Sequence, residues 1–98
     1  MAVIRMDRFK ADPAATDELI SARNALVTAV RNATPGLLQA RLTRVDDETW
    51  VDMWYWDTRA HAQAAVALAQ AGQLPEAGAA FALTTDVTTE FTELVDER

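Results

Sequence analysis

The chain has no cysteine, one histidine, three glycines and fewer basic than acidic residues. Each shortage excludes a class of chemistry. Without cysteine there are no disulfides, thiolate nucleophiles or Cys-ligated metals. A lone histidine, with no helical His/carboxylate pair beside it, gives no basis for a metal site. The glycines form neither a phosphate loop nor a dinucleotide fingerprint, and no G-x-S-x-G elbow occurs. No cofactor is therefore expected through those motifs. The net charge of -6 with no basic cluster argues against nucleic acid and anionic membranes as partners. No apolar run reaches membrane-spanning length and no signal-peptide pattern opens the chain, so a cytoplasmic location is expected. The 98 residues suit one domain, 1–98, and the 50% hydrophobic content covers one core with surface left for an interface.

What the chain does have is concentrated between Thr49 and Thr58, where all three tryptophans and the only tyrosine fall. Period-two alternation puts Trp50, Asp52, Trp54 and Trp56 on one face of a strand and Val51, Met53 and Tyr55 on the other. Large apolar groups on both faces require cover on both. Asp52 interrupts the indole row, and a carboxylate there needs a partner, water or a task.

Around this strand the other elements follow in order. Ala2 to Ala11 reads as a strand with Val3, Arg5, Asp7 and Phe9 opposed to Ile4, Met6 and Arg8. Asp12-Pro13 stops it and starts a helix to about Ala33, with Leu19, Ile20, Leu26, Val27 and Val30 as the apolar stripe and Arg23 largely off it. Thr34-Pro35-Gly36 ends that helix. Leu37 to Val45 forms a hairpin with the tryptophan strand across the polar turn Asp46-Asp47-Glu48. Thr58 caps an alanine-rich helix to Ala71, with Gly72 at C′. Leu74-Pro75 begins a short helical segment to about Leu83 that carries Phe81, and Thr84 to Val95 is the last strand. The order β-α-β-β-α-β is the α+β ferredoxin-like split arrangement, a four-stranded antiparallel sheet with both long helices on one face. The other face, with Val51, Met53 and Tyr55, would be an exposed apolar patch unless a second copy covered it.

The element order, Thr34-Pro35-Gly36-Leu37 before strand two, and Trp56-Asp57-Thr58-Arg59-Ala60 at the entry to helix two resemble the antibiotic biosynthesis monooxygenase superfamily. The resemblance covers nearly the whole chain and implies a dimeric α+β barrel, hence a homodimer. In the cofactor-independent, quinone-forming branch the site uses an Asn and a Trp four residues apart on strand three. Asp52 stands at the Asn position here, Trp56 matches the Trp, and Ala62 replaces a Tyr six residues beyond it. The haem-degrading branch uses a strand-one Asn, where this chain has Asp7, and a Trp and a His on later helices. No Trp or His follows His61, so haem degradation is not expected.

The resemblance implies oxygenation of a small phenolic or quinone-like aromatic between sheet and helices, without metal or flavin. Asp52 would be the base that forms the phenolate. Trp54 and Trp56 would be aromatic walls, Arg41 a stabiliser of developing anionic charge, and Asp7, His61 and Phe81 further contacts. A bland reading stands beside each. The tryptophans could be core, Asp52 could be ion-paired with Arg41 across the hairpin, Asp7 could be paired with Arg5 or Arg8, and His61 could be a surface residue of the first helical turn. The second overall reading is a non-catalytic ligand-binding or structural dimer.

Overall fold

In a computed structural model covering residues 1–98, β1 (Val3–Lys10) leads through a 3-10 turn (Pro13–Ala15) into α1 (Thr16–Ala33). β2 (Leu37–Arg44), β3 (Thr49–Trp56), α2 (Arg59–Gln70), α3 (Pro75–Phe81) and β4 (Thr85–Glu93) follow. The four strands make one antiparallel sheet in the order β2-β3-β1-β4. This is the expected ferredoxin-like arrangement, with the tryptophan strand inside the sheet. No helix is long and apolar enough to cross a membrane.

Local chemistry sets the boundaries. The Asp12 carboxylate accepts from the Ala14 N–H and starts the first helical segment. One turn of 3-10 helix precedes α1, so the regular helix begins three residues later than the sequence suggests. Thr34 ends it by donating both its N–H and its hydroxyl to the Val30 carbonyl. Gly36 then takes a φ of +102°, which only glycine adopts at low cost. In the hairpin turn the Asp46 carboxylate accepts from the Glu48 and Thr49 N–H groups, and these bonds hold its carboxyl below the usual carboxylate range. Thr58 caps α2 by accepting from the His61 N–H.

The alternation on β3 is kept. Trp50, Asp52, Trp54 and Trp56 are all buried, on the face that the helices cover. Two apolar clusters lie along that face. The larger holds Val3, Val30, Trp54 and Trp56 with alanines of α2 and α3, and the smaller holds Phe9, Ala11, Leu19 and Trp50. The opposite face carries half-buried Ile4, Met6, Val51, Met53 and Tyr55 beside exposed Arg8 and Arg41, and no helix of the chain covers it.

Candidate functional site

Between the two apolar clusters runs a polar belt. β1 passes from Val3 through Arg5 and Asp7 to Phe9, β3 from Trp54 through Asp52 to Trp50, and α1 from Leu19 through Arg23 to Leu26. Asp7 and Asp52 stand directly opposite in the β1·β3 register and are 9% and 6% exposed. Facing carboxylates on neighbouring strands repel one another, and two arginines offset the repulsion. Arg23 donates from Nε to Asp52 Oδ2 at 3.2 Å and from a terminal nitrogen to Oδ1 at 2.9 Å. This two-point, charge-assisted clamp is the stronger of the two pairings. Arg5 Nε reaches Asp7 Oδ1 at 3.4 Å, and Thr89 on β4 donates its hydroxyl to the same oxygen at 2.6 Å.

The belt crosses a cavity of about 90 Å³ between sheet and helices, whose lining reaches Phe9 and Leu19 beyond it. Trp54 and Trp56 supply the sheet wall, Ala62 and Ala65 the α2 wall, and Ala77 and Ala80 the α3 wall. The space exists because both later helices present alanines to large indoles. Phe81 is the one exposed residue in the lining, which marks the mouth. The volume limits the occupant. A cavity of roughly 150 Å³ holds benzene and typical small-molecule sites reach ~300 Å³ or more, so even a single ring requires the walls to part.

Five of the seven expected site residues line this cavity: Asp7, Asp52, Trp54, Trp56 and Phe81. Arg41 and His61 do not. Arg41 opposes Met53 in the hairpin and lies on the uncovered face, with its guanidinium 5.9 Å from the Tyr55 ring centre. It neither pairs with Asp52, which opposes Leu42, nor reaches the cavity. The hairpin itself held the signal. A three-residue turn makes Val45 face Thr49, and counting back puts Arg41 opposite Met53. His61 Nδ1 is instead 2.7 Å from Asp57 Oδ1 outside the cavity, and this bond keeps the Asp57 carboxyl below its ordinary range. The partner of Asp52 is Arg23, which sequence reasoning had placed off the buried stripe. Leu19, Arg23, Leu26 and Val30 follow one another at four-, three- and four-residue steps, so Arg23 belongs to the buried stripe.

A family model for antibiotic biosynthesis monooxygenase matches residues 2–77. The chain belongs to this family. Solved structures bear out the fold. SnoaB, a cofactor-independent oxygenase from Streptomyces nogalater, is 26% identical with a TM-score of 0.78, over 98% of this chain and 95% of its own. Rv0793 from Mycobacterium tuberculosis is 21% identical with a TM-score of 0.73, over 99% and 98% of the two chains. A variant of MhuD holding two manganese protoporphyrin IX molecules per active site is 22% identical with a TM-score of 0.69, over 98% and 97%. At those identities the last two speak for the fold alone. A sequence search of curated proteins found no match.

Proposed function

We propose that this family member is a cofactor-independent monooxygenase for a small phenolic or hydroquinone-like aromatic held between sheet and helices. The observation that carries the reading is one cavity with indole walls and a facing pair of carboxylates. The likeness to SnoaB, a cofactor-independent oxygenase, adds to it. In such a reaction the substrate supplies the electrons. Loss of its hydroxyl proton gives an electron-rich phenolate, and dioxygen takes those electrons. One oxygen atom bonds to carbon as the C–H bond there and the O–O bond break, and the other oxygen leaves as water with the hydroxyl and C–H protons. The protein's part is to seat the ring on Trp54 and Trp56, accept the proton and keep bulk water out.

The expected base is Asp52, with Asp7 beside it. Asp52 has both oxygens already bonded to Arg23, so a proton arriving there must weaken a charge-assisted bond. Asp7 receives both of its bonds on Oδ1, leaving Oδ2 without a protein partner. Asp7 is therefore the better placed of the two to take a proton.

The same clamp on Asp52 favours a second reading, a non-catalytic small-ligand binder on this scaffold. In either case the uncovered sheet face would be closed by a second copy into a two-fold dimer. A panel of reduced anthrones and hydroquinones incubated under oxygen with a chelator present, read by absorbance, separates the readings. Oxygenation expects protein-dependent conversion of at least one anthrone to its quinone or of a hydroquinone to a hydroxyquinone, because plain oxidation of a hydroquinone puts no oxygen on carbon. Binding without turnover across the whole panel supports the second reading.

A further inference from the structure

Arg5 is the cavity's least committed charged group. Its Nε makes one long contact to Asp7, 3.4 Å, and neither terminal nitrogen has a protein partner. Arg23, by contrast, is clamped on Asp52 and donates a third bond to Asn24 Oδ1 at 3.1 Å. The Arg5 side chain is 24% exposed and lines the cavity, and its terminal donors keep some contact with water that a ligand would displace. The register also places Arg5 between two rings, opposite Trp54 on β3 and opposite Phe91 on β4.

We propose that Arg5 is the oxyanion-binding residue of the cavity, holding the ionised oxygen of a phenolate or enolate whose ring lies against Trp54. This rests on the reading of the cavity as an aromatic site and specifies its substrate class. The planar guanidinium presents paired N–H donors that fit one oxygen or two adjacent ones, a fit that an ammonium lacks. Asp7, two residues along the same face, offers Oδ2 to a neighbouring hydroxyl. A ring bearing an ionised oxygen next to a hydroxyl would therefore meet both. Arg5 thus takes the anion-stabilising role that sequence reasoning had given to Arg41, which lies on the wrong side of the sheet.

The test uses 4-nitrophenol, a single ring whose ionisation changes its visible absorption, and 4-nitroanisole, the same ring with its oxygen methylated. Quenching of indole emission gives the affinity of each, at a pH where the phenol is ionised. Wild-type protein should hold 4-nitrophenolate more tightly than 4-nitroanisole by at least about tenfold, as expected for a charge-assisted forked bond. Arg5→Gln should bring the two probes to parity while leaving 4-nitroanisole unchanged. Arg5→Lys, which keeps the charge and loses the fork, should fall between them. The absorption of the bound probe gives an independent reading. Its phenol-to-phenolate change should come about one pH unit lower on wild-type protein than in free solution, matching a tenfold preference, and should not move on Arg5→Gln.

A wild-type protein that binds both probes equally overturns the Arg5 role and leaves the cavity an aromatic site. A preference that survives in Arg5→Gln, or is undiminished in Arg5→Lys, also overturns it. Binding of neither probe removes the aromatic reading and this inference with it.

Discussion

Replacing Arg23 by Met keeps the aliphatic reach of the side chain and deletes the guanidinium that holds Asp52. The carboxylate, 9% exposed as a side chain, is then without an ion-pair partner and still faces Asp7 on the next strand. Breaking a buried pair by removing one partner costs about 3–5 kcal/mol. Because Asp52 borders a cavity that water can enter, the lower end applies, about 3 kcal/mol. Asp52→Asn is milder, about 1.5 kcal/mol, since the amide oxygen still accepts a bond and Arg23 keeps Asn24. The double variant buries no charge here and should lose about 2 kcal/mol. That is less than Arg23→Met alone and well short of the two single losses together, which gives a coupling of about 2.5 kcal/mol. Urea unfolding followed by tryptophan emission at fixed protein concentration measures all four proteins. For a domain of this size the Arg23→Met midpoint should drop by roughly 2 M. A loss under about 1 kcal/mol in Arg23→Met, or strict additivity in the double variant, would refute a desolvated ion pair.

Three further outcomes follow from other parts of the molecule. Trp56→Ala should cost about 3–5 kcal/mol of stability, because the ring is 2% exposed, and should weaken ring binding by ~1–3 kcal/mol; unchanged probe affinity in calorimetry would place the site elsewhere. Gly36→Ala should be destabilising in thermal melts, since φ is +102° and the new Cβ would lie 2.5 Å from Asp57 Oδ1; a wild-type melting temperature would contradict it. The Asp57 carboxyl is held below its ordinary range by His61, so its contribution is complete above the unfolded value, about 3.9, and is lost as pH falls through the lower folded value. Asp57→Asn should therefore be less stable than wild type at neutral pH and converge with it in acid.

Much of this architecture is legible because it rests on short-range patterns. The tryptophan alternation, the Asp12 and Thr58 caps and the Asp46 turn each act within a few residues, and the element order follows from them. Arg5 and Asp7 were placed on one face for the same reason. The hairpin pairing was legible in principle, since turn length fixes which β2 residue meets Asp52. The Asp52–Arg23 clamp joins residues 29 positions apart, across a helix-to-sheet contact whose registry no local rule sets. Helical spacing shows only that Arg23 faces inward. Cavity size was not legible either, because it depends on how closely the alanine faces of α2 and α3 approach the indoles.

The central claim is that small aromatics bind between the sheet and the helices, and the indole N–H signals of the three tryptophans test it within one spectrum. Trp54 and Trp56 line the cavity, whereas Trp50 belongs to the other apolar cluster with Arg44 stacked 4.3 Å from its ring centre. Titration of ¹⁵N-labelled protein with 4-nitrophenol, the signals assigned by single Trp→Phe variants, should shift Trp54 and Trp56 in a saturable manner and leave Trp50 in place. A saturable shift confined to Trp50, or binding that moves none of the three, would contradict the account.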